Sequence, residues 1–259
     1  MTNVSPGFGS IKAAAFQYNV LADGGEYLPN CLPPHIDKLK RNDLYDDAIL
    51  IFNPAARKAD TMYGMEPDGT LIPFTVTRAL DTATEVGSDG YINSVLANVP
   101  RYDYTDGVPV LLTEAETINL FLNSMVGVTQ NVTVVNATQY TIYFLGGSGS
   151  IALTGATTGT VLASDFTRNN KLTFTSASTT LTCTVTGVVN MVQVELGIGS
   201  SYIPTNGATV TRNADVIQVA LPSGVTTITL TDIDDVESAG SIADPYIIPV
   251  GEHKQIIMR

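Results

Sequence analysis

The sequence is poor in the residues that most often carry chemistry. Its 259 residues include no tryptophan, two cysteines and two histidines. His35 and His253 stand at opposite ends of the chain, and no serine occurs in a G-x-S-x-G context, so neither a nucleophile nor its base is indicated. The glycines of "LGGSGSIALTG" lack the lysine that follows them in a phosphate-binding loop. We predict no catalytic residue, no cofactor and no metal site.

Basic residues are also scarce. The chain holds 13 Lys and Arg against 25 Asp and Glu, which gives a formal net charge of −12. The basic residues beyond Arg101 are Arg168, Lys171, Arg212, Lys254 and Arg259. Because these cannot form a cationic stripe, we predict that neither nucleic acid nor an anionic membrane surface is a partner.

Long apolar runs and a leader segment are missing too. The N-terminus has no basic start followed by an apolar run, and no stretch approaches the roughly 20 apolar residues of a membrane helix. We therefore expect synthesis without a signal peptide, in a cytoplasm, and no membrane insertion. Cys31 and Cys183 are too few for a disulfide framework and are predicted to be free, buried thiols.

What the sequence does contain is β-structure. From 129 to 186, short runs alternate apolar and hydroxyl side chains, with glycine, serine or asparagine at the breaks. Such short strands at regular intervals predict an antiparallel β-sandwich. A capping-box match at 113–116 raises the alternative of a short helix over 114–121, but the preceding "VPVLL" favours an extended chain.

Changes in composition divide the chain into four parts. Lysines, a proline cluster and a mixed-charge stretch with a candidate helix over 36–44 distinguish the first part from the rest. The predicted fold is mostly β. Its parts are an N-terminal attachment region at 1–60, a β linker at 61–124, the β-sandwich at 125–217 and a C-terminal β appendage at 218–259.

Acidic residues supply the alternatives that chemistry would need. Paired carboxylates can hydrolyse a glycoside when they are held about 5 to 9 Å apart. The candidate pairs are Asp103 with Asp106 and Glu114 with Glu116. The cluster Asp232, Asp234 and Asp235 lacks the glycine and the distal glutamate of a calcium loop, and we interpret it as a solvated turn, with a surface cation as the minority interpretation.

One segment has a recognisable pattern. It contains an arginine after a hydrophobic strand, a threonine-rich link, the turn "SDG", then "ANVPR" followed by an aromatic residue and Asp, and a leucine-rich strand that ends in Glu. A second segment, "SSYIPTNGATVTRNADV", stands at 200–216 after the predicted sandwich. Together these motifs, over about 70–217, resemble bacteriophage virion proteins, especially tail fibre and spike components.

The resemblance implies a fold and a ligand. The sandwich is similar to jelly-roll carbohydrate-binding modules, which implies that a host-surface glycan is a possible partner. Glycans bind against exposed aromatic rings, and without tryptophan the candidate rings are Tyr140, Tyr143 and Tyr202. It also implies a virion location, with the N-terminal region contacting other virion proteins.

The same resemblance suggests a structural joint between the linker and the sandwich. Asp89-Gly90 would supply the positive φ of a tight hairpin. Asn98 and Arg101 would tie the connecting strand to the sandwich through backbone carbonyls and carboxylates such as Asp103 or Glu114. The predicted joint residues are Arg78, Asp89, Gly90, Asn98, Arg101, Asp103 and Glu114.

These inferences lead to one expected function and two alternatives. We expect a non-enzymatic virion component: a fibre, a spike or a capsid-decorating protein. One alternative is a purely structural capsid or connector protein with no host ligand, and the other is a tail-associated glycan-degrading enzyme. Because residues 129–160 carry no charge that would protect a strand edge, we also expect a homo-oligomer, a trimer, held partly through 129–186.

Overall fold

The computed structural model describes residues 21–22, 26–27, 47–58, 60–164 and 171–259. In these residues the chain forms strands and no helix. The strands are β1 Leu21–Ala22, β2 Glu26–Tyr27, β3 Leu50–Lys58, β4 Thr61–Met65, β5 Leu71–Pro73, β6 Thr75–Thr77, β7 Ala83–Val86, β8 Ile92–Val95, β9 Arg101–Asp103, β10 Val110–Thr113, β11 Thr117–Asn119, β12 Gln130–Thr133, β13 Gln139–Gly146, β14 Ser150–Gly155, β15 Gly159–Leu162, β16 Leu172–Thr175, β17 Thr180–Thr186, β18 Asn190–Leu196, β19 Val210–Arg212, β20 Val216–Val219, β21 Ile228–Asp232, β22 Glu237–Ala239, β23 Tyr246–Ile247 and β24 Gly251–Met258.

Two facing sheets form the first core. One sheet has the strand order β12-β17-β14-β15 and the other the order β16-β13-β18, and all pairings are antiparallel. Apolar side chains on alternate positions of both sheets meet between them, Phe144 and Leu181 among them. This arrangement confirms the predicted mostly-β class and its antiparallel strands. The period-2 pattern places every second side chain in the core.

The second core uses strands from both halves of the chain. The eight-stranded sheet follows the order β22-β21-β24-β3-β4-β5, with β10 pairing β24 and β9. A small sheet, β23-β20-β6, contributes further side chains to the same core. Phe52 and Leu111 from the first half therefore lie in one cluster with Ile217, Ile228 and Ile256 from the last 45 or so residues.

The C-terminal strands are therefore integral to a sheet. β24 pairs with β21 on one side and with both β3 and β10 on the other. A segment predicted as an appendage thus lies in the middle of the largest sheet. The first core, formed by residues from Phe121 to Val194, is inserted between strands that build the second.

Two chain crossings join the inserted sandwich to the other unit. The outgoing crossing leads from β10 to β11 and the return crossing from β19 to β20. β11 and β19 pair with each other, which holds the crossings side by side. The strand β11 at Thr117–Asn119 also shows that the extended alternative, rather than the helix over 114–121, was correct.

Some predictions fall outside the described residues. The candidate helix over 36–44, Cys31 and most of the N-terminal attachment region belong to this group, whereas the end of that region forms β3 of the eight-stranded sheet. Cys183 is described, and it is a free thiol buried in the first core, as predicted.

Candidate functional site: a buried arginine–carboxylate network

Among the described residues, the densest group of buried charges lies at the two crossings. Glu114 stands on the outgoing crossing and Asp215 on the return crossing. The Asp215 N–H donates to the Glu114 carbonyl over 2.9 Å, which joins the two backbones. In return, the Glu114 N–H donates to the Asp215 side chain at Oδ2 over 2.9 Å. We call the buried side chains gathered here the arginine–carboxylate network: Arg78, Arg101, Glu114, Arg212 and Asp215.

Asp215 bridges two arginines. Its Oδ1 accepts from Nη1 of Arg78 over 2.7 Å, and its Oδ2 pairs with Nη2 of Arg101. All three side chains are almost wholly buried. Charge-assisted bonds of this kind are shorter and stronger than neutral ones, so Asp215 binds the end of β6 and the start of β9 to the return crossing.

Glu114 likewise bridges two arginines, Arg101 and Arg212. Its Oε2 lies 2.8 Å from Nη1 of Arg101 and 2.9 Å from Nη1 of Arg212. Ser201 donates to the same carboxylate twice, from its N–H over 2.8 Å and from its hydroxyl over 2.6 Å. Burial raises the Glu114 pKa, but the two guanidiniums and the Ser201 hydrogen bonds outweigh burial and bring the pKa to about 2.

The guanidiniums of Arg101 and Arg212 differ in how far the neighbouring charges offset the effect of burial on the pKa. Burial lowers the pKa of Arg101, yet the two carboxylates beside it outweigh burial and hold the pKa above its usual value. For Arg212 burial prevails and the pKa lies below its usual value, since Arg101 opposes the attraction of Glu114. Both side chains remain cations at neutral pH, because an arginine pKa starts above about 12.

Arg78 and Arg101 also donate hydrogen bonds to backbone carbonyls. Nη1 of Arg78 donates to the Val99 carbonyl over 3.1 Å, and its Nη2 donates to that of Leu96. Nη1 of Arg101 donates to the Thr84 carbonyl over 3.0 Å. The β7–β8 hairpin is thereby fastened to the crossings.

A third carboxylate, Glu195, lies beside the network on β18. Its Oε1 accepts from the Ser200 N–H over 2.7 Å and from Nε2 of Gln193 over 3.0 Å. Burial raises the pKa of Glu195 more than these hydrogen bonds and the nearby Arg212 lower it. The outer face of the three-stranded sheet is therefore a polar layer under the crossings.

The structure brings together three of the predicted joint residues, Arg78, Arg101 and Glu114. Asn98 supports them, because its Oδ1 accepts from the Arg78 N–H over 3.0 Å while its own backbone has a φ of 59°. Asp103 does not join them: its Oδ1 accepts from the Thr105 N–H over 2.8 Å. Its side chain therefore closes a local turn.

Asp89 and Gly90 form the turn of the β7–β8 hairpin, away from the network. Gly90 has a φ of 77°, a left-handed conformation that a side chain would disfavour. Oδ1 of Asp89 accepts from the Tyr91 N–H over 3.0 Å, and the Gly90 N–H donates to the Gly87 carbonyl over 2.9 Å. These two residues shape the hairpin whose far end the arginines hold.

The three candidate tyrosines are all internal. Tyr140, Tyr143 and Tyr202 are between 0% and 5% exposed. Each hydroxyl has a protein partner: Tyr140 accepts from the Val135 N–H, Tyr143 donates to the Ser200 carbonyl, and Tyr202 bonds the Ser124 hydroxyl. The sequence-based assignment of these rings to glycan binding is therefore corrected, because Tyr140 lies in the first core and Tyr143 and Tyr202 are buried outside it.

In each candidate carboxylate pair, one side chain is buried and the other is exposed. Glu114 is buried and ionised, while Glu116 is exposed and accepts from Nδ2 of Asn213 over 3.0 Å. Asp103 is buried and Asp106 is exposed. Among the described residues, no group of three His, Cys, Asp or Glu side chains is placed to hold a metal ion.

The acidic turn near the C-terminus folds on itself. Oδ1 of Asp232 accepts from the N–H groups of Asp234 and Val236, each over 2.9 Å. Asp235 has a φ of 62° and forms an exposed ion pair with Lys254 at 3.0 Å. This geometry agrees with a solvated turn.

Sequence reasoning did not assign roles to Arg212, Asp215, Ser201 and Glu195. All four lie at the end of the sandwich or in the 200–216 segment, which resemblance had marked without naming individual roles. One usable signal was the scarcity of basic residues beyond Arg101, which makes a single arginine three residues before an aspartate conspicuous. Their meeting with Arg78 and Arg101 depends on long-range pairing, which no local pattern shows.

Comparison with protein-family models, with curated proteins and with solved structures found no match to this chain. The part of the chain that the structure describes contains no helix long and apolar enough to cross a membrane.

Proposed function

We propose that this chain is a non-enzymatic structural component of a bacteriophage virion, of the fibre, spike or capsid-decorating kind. The observation that carries the proposal is the composition of the arginine–carboxylate network. Arg78, Arg101 and Glu114 come from the first segment that resembles virion proteins, and Arg212 and Asp215 come from the second. The two recognisable segments thus contribute side chains to the same buried network, which explains why both segments carry arginines and carboxylates at these positions.

The state of the carboxylates supports a structural role over a hydrolytic one. A general acid needs a proton near neutral pH and access to substrate. The Glu114 pKa of about 2 keeps this carboxylate ionised at neutral pH, and arginine and serine donors occupy both of its oxygens. The network binds chain segments to one another, which suits a part that must hold its shape.

The packing of the two facing sheets supports a jelly-roll-like sandwich as the finer description of residues 125–217. The buried tyrosines favour the version of the function without a host ligand, because no candidate ring offers a face to a sugar. We accordingly place a purely structural capsid or connector role ahead of glycan attachment. Attachment through the N-terminal region, 1–60, remains part of the proposal.

Locating the protein on the particle tests this function. Antibodies raised against the recombinant chain are applied to density-gradient-purified particles from bacteria that carry the coding sequence, and the gold label is imaged by electron microscopy. We expect label at regular positions on capsid or tail. If the chain stays in the soluble fraction and no particle is labelled, the proposal is wrong.

A second assay separates the structural version from the adhesin. Host cells are incubated with fluorescent recombinant protein and then challenged with phage. The structural role predicts no cell binding and unchanged adsorption, whereas an adhesin would bind and compete.

A further inference from the structure

We infer that the outer face of the four-stranded sheet β12-β17-β14-β15 pairs with the same face of a second copy of this chain. This inference goes beyond the proposed function and holds wherever the protein is located. The outward side chains of this face, which we call the threonine face, are Asn131, Thr133, Val135, Ser150, Ala152, Thr154, Thr160, Leu162, Thr180, Thr182, Thr184 and Thr186.

Strand alternation defines the threonine face. Leu181 and Cys183 point into the first core, so the threonines on either side of them point outward. The register then sets rows across the sheet: Thr182 stands opposite Asn131 on β12 and Thr154 on β14. The result is a regular array of hydroxyl and methyl groups.

The threonine face is the accessible side of the sandwich. The opposite side, on the three-stranded sheet, lies partly under residues 197–201, where Thr141 donates to the Gly197 carbonyl and Tyr143 donates to that of Ser200. On the threonine face, by contrast, Leu162 is 58% exposed and Val135 is 64% exposed. Both side chains stand at the margins of an uncharged sheet, and a second copy lying on it would remove them from water.

Charge favours a second copy over other partners. The chain has a net charge of −12, so two copies repel wherever charged surfaces meet. The threonine face contains no charged residue, so two copies can meet there without bringing like charges together. A cationic or nucleic-acid partner would instead be recognised through complementary charges, which this face does not offer.

Hydroxyl chemistry favours the same conclusion. In a two-fold interface the same patch of both copies meets, so residue i contacts residue j and j contacts i, and the patch as a whole must be complementary to itself. A carboxylate only accepts and an ammonium only donates, but a threonine hydroxyl does both, and its methyl group packs as well. A face composed mainly of threonine is self-complementary.

The area of the face predicts weak pairing. The strands contain four, seven, six and four residues in the order β12, β17, β14 and β15. At about 3.4 Å per residue and about 4.8 Å between strands, they cover roughly 340 Å² per copy. A standard interface buries about 800 Å² per partner. We therefore expect a dimer that forms at high concentration or when copies are held close together.

Not every position within 129–186 is suitable for testing this pairing. Val134 lies in the first core, and Thr141 is fully buried beneath the crossings. Arginine at either position would disrupt folding rather than an interface. Thr184, which is exposed and central in β17, is the appropriate position.

The test is sedimentation equilibrium of the full chain and two matched variants. Thr184→Glu introduces a like charge on the threonine face, and Thr175→Glu makes the same change at an exposed strand position of the other sheet. Between about 10 µM and about 1 mM, the weight-average mass of the wild type and of Thr175→Glu should rise from 27.4 kDa toward twice that value. Thr184→Glu should stay monomeric, with an unchanged circular dichroism spectrum.

Three results would overturn the inference. The first is a wild type that stays monomeric up to the highest concentration. The second is association that Thr184→Glu leaves unchanged. The third is a mass of three chains, which would contradict two-fold pairing and support the trimer expected from the strand edges.

A cross-linking experiment gives an independent readout. In a Cys31→Ser background, Ala152→Cys places a thiol in the middle of the threonine face, and Thr175→Cys serves as the control. A short bis-maleimide should join Ala152→Cys chains into dimers far faster than the control. Equal rates for the two variants would overturn the inference.

Discussion

Replacing Asp215 by asparagine removes a buried negative charge from the network with little change in volume. In the wild type this carboxylate faces Nη1 of Arg78 at 2.7 Å, pairs with Arg101, and accepts from the Glu114 N–H at 2.9 Å. Asparagine keeps one acceptor oxygen but leaves two buried guanidiniums facing a neutral group. Arg101 still has Glu114, whereas the ion pair of Arg78 within the network is lost.

The expected cost follows from that uncompensated charge. Removing one partner of a buried ion pair costs about 3–5 kcal/mol, and a retained acceptor oxygen puts Asp215→Asn near the lower end, at about 3 kcal/mol. Domains are stable by about 5–15 kcal/mol, so the loss is large enough to measure but leaves a folded protein. The control is Asp106→Asn, an exposed turn residue, for which we expect a change within about 0.5 kcal/mol.

Urea unfolding followed by circular dichroism measures the free energy of both variants. Hydrogen exchange with mass spectrometry adds a local readout, because the network lies between the two cores. In the wild type, peptides from 132–194 and from 217–258 should lose protection together, and in Asp215→Asn they should separate. A loss below about 1 kcal/mol with both regions still opening together would refute the reasoning that the network couples the cores.

Three further predictions follow from the titratable groups. Because the folded pKa of Glu114 lies near 2, below its ordinary value, the stability it contributes is present above pH 4.5 and is lost as the pH falls toward 2. The urea midpoint should therefore fall across this pH window, and it should fall less in Glu114→Gln than in the wild type. His253 is buried with its pKa lowered mainly by burial, so protons bind the unfolded chain first, and stability should fall as the pH drops below 6.5, a dependence that His253→Asn should weaken. Burial raises the pKa of Cys183 to about 12, so in a Cys31→Ser background the thiol should not react with a disulfide reagent at pH 8 until urea unfolds the protein, and rapid reaction of the native protein would contradict its buried position.

The local part of the fold was predictable from the sequence, because it depends on side-chain period and turn chemistry. The alternation in "TLTCTVT" assigns Leu181 and Cys183 to the core and the threonines to the surface, as the structure has them. The turn at Asp89-Gly90 was predictable in the same way, since glycine is the residue that tolerates a φ of 77°.

Long-range pairing was not predictable in this way. Nothing within "KQIIMR" indicates that β24 enters the sheet between β21 and the strands β3 and β10, because strand order depends on contacts between distant segments. Exposure of an aromatic ring depends on the same contacts. Tyr143 points away from the first core, as its position in β13 predicts, but residues 197–201 cover that side. An outward position in a strand therefore did not mean an exposed one.

The network explains why charge, rather than more apolar packing, lies between the two cores. A buried ion pair seldom adds stability over apolar side chains of the same volume, so stability alone does not account for it. Apolar side chains tolerate small shifts, whereas Asp215 and Glu114 accept from their arginine, serine and backbone donors in fixed directions. Two crossings that only packed against the sandwich could slide, but crossings bonded through both carboxylates have one register. This directional restraint is the property that the network adds, and it suits the structural role proposed above.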